Sequence, residues 1–293
     1  MSEPLLPTSS GVMVAAAPAV VPDAANTPLS PSSTPPIKFS RIMFTSGVAV
    51  VGFWWLTTGV IVAMQATTIS RSGGVLVCTA LAGWGAWLVA SRRNVATDRA
   101  ATESFFGGAL LWGWVTATLY TGWIAGPVEA ASVPLEGAPG SMALALQATW
   151  ATWNSEVASL AAMAAAWFLT RGGVNRVGFW TYVAFWLTLQ SAKLNIFFGV
   201  KNPGTQFLPP QLAHLERFFG PLQNSLFLPF SLTVLTVATF AMFVMVVRDR
   251  APHRRRGWSL VSTLMALAVV EHLFLSSRWN APFWQFFLEL RGH

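Results

Sequence analysis

The sequence is poor in charged residues and nearly free of cysteine. Of its 293 residues, 10% are Asp, Glu, Lys or Arg, and the single cysteine, Cys78, lies in an apolar run. So few charges exclude an ordinary soluble domain, and one cysteine excludes both an intrachain disulfide and a CxxC metal site. The composition is 54% hydrophobic and the mean hydropathy is +0.53, which is typical of a polytopic membrane protein.

Signatures of enzymes are also absent. The sequence contains no HExxH, no P-loop, no GxSxG and no glycine-rich dinucleotide fingerprint, so we predict that the protein is not an enzyme. The sequence also lacks the two-fold internal repeat that would suggest a transporter. The net charge of +7 comes from basic residues scattered through short loops, and this pattern does not favour a nucleic-acid partner.

The apolar runs predict an all-α membrane protein. Residues 1–38 are rich in Ala, Pro and Ser and predict a disordered tail. A helix needs about 20 apolar residues to cross a bilayer core of about 30 Å, and seven runs qualify. The predicted spans are 42–64, 74–90, 104–124, 142–169, 177–199, 222–247 and 258–277. Residues 282–290 are too few to cross and are rich in Trp and Phe, which predicts a segment at the membrane interface.

The loops between these spans differ in basic charge. Seven spans place twelve Lys and Arg on the side of the first loop and five on the other. The positive-inside rule then predicts a cytoplasmic N-terminus and a C-terminus on the opposite, periplasmic side. The twelve are Lys38, Arg41, Arg92, Arg93, Arg99, Arg171, Arg176, Arg248, Arg250, Arg254, Arg255 and Arg256; the five are Arg71, Lys201, Arg217, Arg278 and Arg291.

Ionisable residues inside the predicted spans are candidates for function, because charges are costly in lipid. Glu156 either bounds a pocket with Trp153, three residues earlier on the same helix face, or is a packing carboxyl. Lys193 lies about 9 Å before the end of its span, so it either reaches the interface or pairs with Glu271 at a similar depth. His272 either ligates a chlorin magnesium or a haem iron or is merely hydrogen-bonded.

A polar strip follows Lys193 and leads into a loop rich in proline. We predict that this strip contacts a partner or a lipid head group, because proline enforces extended geometry and suits a fixed docking loop. A merely stiff connection is the alternative. The strip consists of Lys193, Asn195, Lys201, Asn202, Phe207, Leu208 and Pro209.

Five segments carry a resemblance to a known family. They are FWWLTTGVIV (53–62), LLWGW (110–114), GFWTYVAFWLTLQSAKLNIFFGVKN (178–202), FLPPQLAHLERFF (207–219) and VVEHLFL (269–275). Together they resemble the PuhE family, photosynthetic complex assembly proteins of purple-type phototrophic bacteria. The most specific part is SAKLN with the FLP segment that follows.

The resemblance implies a membrane assembly factor for the photosynthetic reaction centre and its core light-harvesting antenna. The implied partners are subunits of these complexes or other assembly factors, together with membrane lipid, and the implied location is the bacterial inner (intracytoplasmic) membrane. The alternative is a protein that handles or delivers bacteriochlorophyll or a precursor, with Glu156 and His272 as pigment contacts. The cofactor is unknown, with bacteriochlorophyll as a candidate. The family often has a His-Glu pair where this chain has Ser155 and Glu156, so the resemblance argues against a histidine pigment ligand at this site but retains Glu156.

Overall fold

The computed structural model describes residues 39–277 and 281–292. The predicted disordered tail, 1–38, lies outside the described residues. Within them every regular element is helical, which confirms the all-α prediction. The helices are α1 Phe39–Ala63, α2 Thr68–Arg92, α3 Asp98–Tyr120, α4 Met142–Ala151, α5 Trp153–Thr170, α6 Val177–Phe198, α7 Phe227–Arg248, α8 Pro252–Leu275 and α9 Ala281–Arg291, with 3-10 turns at Val128–Ala131, Thr205–Phe207 and Pro210–Phe218.

Two predicted bounds changed for reasons visible in the local geometry. The second span, predicted as 74–90, is a helix from Thr68 to Arg92 because Thr67 and Ser70 cap its first turn reciprocally. The predicted continuous span 142–169 is wrong, since the chain breaks between α4 and α5. At the break Thr152 has φ −113° and ψ 19°, which is outside helical geometry.

Four helices of the described chain are long and apolar enough to cross a membrane, namely α1, α2, α7 and α8. This result supports a multi-pass membrane protein. The other predicted spans contain more polar sequence: α3 begins with Asp98 and Arg99, and α6 contains Gln190 and Lys193. That these helices also cross the membrane stays a prediction.

The loops that share a predicted side meet at one end of the bundle. Arg256, at the start of α8, donates hydrogen bonds to Ile42 O (3.3 Å) in α1 and to Thr102 Oγ1 (3.0 Å) in α3. The amide of Asn175, before α6, donates to Arg93 O (2.8 Å) after α2. The long helices therefore alternate in direction through the bundle.

Glycines bring three helices of the bundle into close contact. A Cβ atom on Gly85 of α2 would lie 2.7 Å from Gly107 O of α3, and one on Gly108 of α3 would lie 2.1 Å from Gly178 O of α6. No side chain fits at such distances, so backbones touch here, as is common for packed membrane helices. The α3 helix is thereby fixed between α2 and α6.

Candidate functional site

The break between α4 and α5 positions Glu156. Gly126 lies so close to the end of α4 that a Cβ atom there would be 2.0 Å from Ala151 O. The amide of Ser155 donates to Ala125 O (3.3 Å) rather than to a carbonyl of its own helix. The chain restarts as α5 at Trp153, so Glu156 occupies a first helical turn. A carboxylate is favoured in this position by the helix dipole.

Glu156 forms an ion pair with Lys193 of α6. Lys193 Nζ lies 2.5 Å from Glu156 Oε1, and Gln190 Nε2 donates to Oε2 at 2.7 Å. The side chains of Lys193 and Glu156 are only 16% and 12% exposed. The predicted pair of Lys193 with Glu271 is therefore wrong. Lys193 reaches across to α5 instead of running to the interface, because a carboxylate is available there. Thr152 Oγ1 also donates to Glu156 Oε1, at 3.4 Å. We call Glu156, Lys193, Gln190 and Thr152 the ion-pair cluster.

His272 lies in a second group of polar side chains and is 1% exposed. Its Nδ1 is 2.8 Å from Ala268 O and its Nε2 is 2.8 Å from Ser191 Oγ. A carbonyl oxygen only accepts, so Nδ1 carries the proton, and in the neutral imidazole Nε2 then accepts from the serine hydroxyl. We call His272, Ser191 and Ala268 the imidazole cluster. Both ring nitrogens are engaged, so ligation of a chlorin magnesium by His272 does not fit this arrangement.

Glu271 is held by α1. The indole Nε1 of Trp54 donates a short hydrogen bond to Glu271 Oε1. Trp54 in turn packs edge-on against Trp284 of α9, with ring centroids 4.9 Å apart. Apart from a tryptophan in an apolar span, no sequence pattern predicts this contact of Trp54.

A cavity of about 330 Å³ lies between α1, α3, α6 and α8 beside Glu271 and His272. This volume is near the lower end of the range for ligand sites, about 300–1,000 Å³. Arg291 of α9 donates to the carbonyls of Gln206 (2.5 Å) and Phe207 (3.2 Å) and so ties the end of α9 to the loop at the cavity. The aromatic side chains that line the cavity are Phe53, Trp54, Trp112, Tyr120, Phe185, Phe207, Phe274 and Trp284.

The structure does not bring Glu156 and His272 into one site. Both are held by α6, but through different residues of it. At roughly 100° per residue, Ser191 points roughly 100° away from Gln190 and 160° away from Lys193. Glu156 does not line the cavity. The two predicted pigment contacts therefore lie on different sides of one helix.

The predicted polar strip is largely turned inward. Asn195 is fully buried and donates to Ser231 Oγ of α7 at 2.9 Å. Asn202 donates from its backbone to Leu275 O at 2.9 Å and so binds the end of α8. Pro209 is buried, and Leu208 packs against a buried cluster. Lys201 is the exposed member. In the strip, internal contacts account for the asparagines, and Lys201 is the residue open to a partner.

Other residues of these clusters had weaker sequence signals. Gln190 and Lys193 are three residues apart, and this spacing indicates one helix face, but nothing in the sequence identifies Glu156 as their partner. Ser191 looks like an ordinary small residue of a span. Among the described residues, no group of three or more His, Cys, Asp or Glu side chains is arranged to hold a metal ion.

Comparisons with known proteins give a family and one informative relative. The chain is 30% identical over 230 residues to the "Uncharacterized 30.4 kDa protein in puhA 5'region" of Rhodobacter capsulatus, and the alignment covers 76% of this chain and 82% of the relative. No solved structure matches the chain. Residues 40–291, nearly all of the helical bundle, match one family model. The chain therefore belongs to the family described as "Protein of unknown function (DUF3623)".

Proposed function

We propose that this chain is a non-enzymatic membrane assembly factor for the photosynthetic reaction centre and its core light-harvesting antenna. The observation that carries the proposal is the description of the Rhodobacter capsulatus relative as a protein in the puhA 5' region. That region points to an operon of the photosynthetic reaction centre. The resemblance of several segments to the PuhE family agrees with this assignment. Subunits of these complexes, or other assembly factors, are the proposed partners.

In this proposal the chain crosses the bacterial inner (intracytoplasmic) membrane seven times. Six crossings are the helices α1, α2, α3, α6, α7 and α8, and the remaining one is the broken pair α4 and α5. The N-terminus lies in the cytoplasm and the C-terminus in the periplasm, as the basic loops predict. Thr205 is exposed at the proposed periplasmic end. A Thr205→Cys variant on a Cys78→Ala background should react with an impermeant thiol reagent added from the periplasmic side. Labelling only after the cytoplasmic side is opened would contradict the topology.

The outer surface of the bundle supports a role that requires neighbouring helices. The α7 helix presents an apolar stripe to its surroundings, with side chains at helical spacing that are half exposed or more. Such a face packs against lipid or against a partner helix. The members of the stripe are Phe230, Val234, Val237 and Phe240.

Pigment handling is the second candidate. The aromatic cavity beside Glu271 favours it, because apolar pockets with a few polar groups are typical small-molecule sites. The occupied nitrogens of His272 and the internal pairing of Glu156 weigh against direct ligation by the two predicted residues. Assembly therefore remains the first proposal.

A deletion strain tests the assembly role. We expect the strain to make reaction-centre and antenna subunits but to accumulate fewer assembled core complexes, measured by membrane absorption and by native gels. Restoration by the intact gene is the control. Normal accumulation of core complexes in the deletion strain would refute the role.

An absorption spectrum of the purified protein separates the two candidates. A colourless protein that copurifies with reaction-centre or antenna subunits is the result expected for assembly. Chlorin bands that are lost in His272→Leu but kept in His214→Leu would favour pigment handling instead. His214 is a matched control because it lies in the 3-10 turn Pro210–Phe218 and does not line the cavity.

A further inference from the structure

The aromatic cavity contains polar groups that the described chain leaves without partners. Glu271 accepts a hydrogen bond from the indole Nε1 of Trp54 through Oε1, and no described residue donates to its Oε2. The hydroxyl of Tyr120, at the end of α3, lines the same cavity and has no hydrogen-bond partner among the described residues. Neither atom is among the buried polar atoms that lack a partner, so both keep accessible surface. A molecule in the cavity can therefore reach a carboxyl oxygen and a phenol hydroxyl.

The carboxyl group of Glu156 shows how the same protein satisfies a carboxylate completely. Its Oε1 pairs with Lys193 Nζ, and its Oε2 accepts from Gln190. Glu271 differs, because only one of its oxygens has a donor and that donor, Trp54, is itself packed edge-on against α9. The fold therefore orients Glu271 and leaves its second oxygen open to a ligand. A binding group held in this way costs little to order when the ligand arrives.

The wall of the cavity does not suit an anionic ligand. Among the described residues that line it, none is Lys or Arg. Arg291, which binds the loop beside the cavity, donates from Nη1 and Nη2 to the carbonyls of Phe207 and Gln206. The hydroxyls of Thr57 and Thr58 in α1 line the cavity and have no hydrogen-bond partner among the described residues. The open polar groups are thus one carboxyl and three hydroxyls, and they suit a neutral ligand that both donates and accepts hydrogen bonds.

The size and the walls of the cavity define the apolar part of the ligand. An apolar cavity of about 150 Å³ holds one benzene molecule, and this cavity has a volume of about 330 Å³. The enclosed part of a ligand is therefore limited to about two rings. The walls present ring surfaces, among them Trp112 and Phe185, which are stacked with centroids 6.0 Å apart. Aromatic side chains favour contact with a further ring, either stacked or edge-on.

We propose that the aromatic cavity binds a phenol, that is, a neutral aromatic molecule of one or two rings that carries a hydroxyl group. The ligand hydroxyl donates to Glu271 Oε2, and the Tyr120 hydroxyl donates to the ligand oxygen. The rings of the ligand pack among the aromatic side chains of the wall. A neutral molecule of this kind dissolves in the lipid core, where an ion is costly. The site depends neither on the assembly role nor on pigment handling, and a failure of either leaves it standing.

Equilibrium dialysis of the purified full chain in detergent, corrected with protein-free micelles, tests the class of ligand. Naphthol and its methyl ether have the same two rings, but only naphthol can donate to Glu271. Naphthol should bind about tenfold more tightly than the ether, as expected for one hydrogen bond to a carboxyl group. Equal binding of the two probes would overturn the proposal. Tighter binding of naphthoate or of naphthylmethylammonium than of naphthol would also overturn it, because the site would then select an ion.

Two variants locate the binding and separate the two contacts. Glu271→Gln keeps an oxygen for Trp54 but presents an amide to the ligand, so the preference for naphthol over its ether should fall to about twofold or less. Tyr120→Phe removes a hydroxyl that can donate to either probe, so it should weaken both probes about threefold and keep the preference. The Tyr120 variant breaks no hydrogen bond among the described residues, so its fold is not at risk.

Glu216→Gln is the matched control for the carboxyl variant. Glu216 is exposed, belongs to the 3-10 turn Pro210–Phe218 and does not line the cavity. This variant should bind both probes as the wild type does. Equal affinities of the wild-type, Glu271→Gln and Tyr120→Phe proteins for naphthol would refute the site.

Discussion

The two polar clusters beside α6 differ in charge. In the ion-pair cluster, Lys193 and Glu156 are both charged groups and neutralise each other at 2.5 Å. In the imidazole cluster, His272 is neutral and is satisfied by Ser191 and a backbone carbonyl. The charged cluster is closed within the chain, whereas the neutral cluster borders the aromatic cavity. The comparison indicates that the ion pair fastens α5 to α6, whereas the aromatic cavity lies beside the neutral cluster.

The largest effect should come from breaking the ion pair. Glu156→Ala leaves Lys193 buried without a counter-charge, and we expect a loss of about 3–5 kcal/mol in the free energy of unfolding. Reversible unfolding in mixed detergent measures it. Glu136→Ala, which removes an exposed carboxylate, should stay within about 0.5 kcal/mol of the wild type.

A double variant sharpens this result. Glu156→Ala with Lys193→Ala removes both charges and should recover part of the stability lost by Glu156→Ala alone. If the double variant is no more stable than the single one, the unpaired Lys193 is not the cause of the loss, and the contrast between the clusters fails.

A somewhat smaller loss of stability should follow from forcing α3 and α6 apart. The contrast between the two clusters requires that α6 keeps its orientation about its own axis, and the close contact with α3 holds that orientation. Gly108→Ala places a Cβ atom against Gly178 O, and overpacking of this kind costs about 1–3 kcal/mol. Gly113→Ala on the same helix is the control, since its Cβ atom would meet only Thr57 Cγ2 at 3.8 Å. Equal stability of the two variants would contradict the close crossing.

Removing the hydroxyl beside His272 should cost about 1 kcal/mol. Ser191→Ala leaves Nε2 of the imidazole without its donor in a buried place. Ser276→Ala, which removes an exposed hydroxyl bonded to its own helix, should change the stability less. Should both serine variants match the wild type, the neutral cluster would contribute nothing measurable.

The smallest effect on stability is expected from filling the aromatic cavity. Gly113→Leu directs a side chain toward open space next to Thr57 and should shift the free energy of unfolding by less than about 1 kcal/mol. It should nevertheless reduce the uptake of a small apolar fluorescent probe. Gly52→Leu, where a Cβ atom meets nothing within 4 Å and the helix face is exposed, is the matched control and should keep the uptake. Equal uptake by both variants would show that probes bind elsewhere.

The bounds of the helices along the chain were largely predictable from the sequence, whereas rotation about their axes was not. The predicted span 177–199 nearly coincides with α6, because the length of the apolar run sets the length of the helix. Lys193 and Glu271 were matched by depth alone. A span that is apolar on all sides carries little amphipathic pattern, so the sequence does not show that Lys193 turns to α5 and Glu271 to Trp54 of α1.

The helix break and the glycine crossings were hidden for a related reason. Residues 142–169 look like one span because the break at Thr152 depends on a close approach of Gly126 from a distant loop. Gly108 and Gly178 are two of 23 glycines, and their contact is evident only when α3 and α6 are placed together. The lone polar residues were correctly singled out, since charge in an apolar span is rare, but their partners required the fold.

The last described helix has a consequence for how the protein is made. Phe287 of α9 packs where Gly59 leaves room in α1, and Trp284 supplies a wall of the aromatic cavity. Residues from opposite ends of the described chain therefore complete the aromatic cavity. Because α9 is synthesised after α8, the cavity lacks one wall until α9 has packed against α1. A molecule that is to be enclosed in the cavity would have its widest entrance at that stage of synthesis.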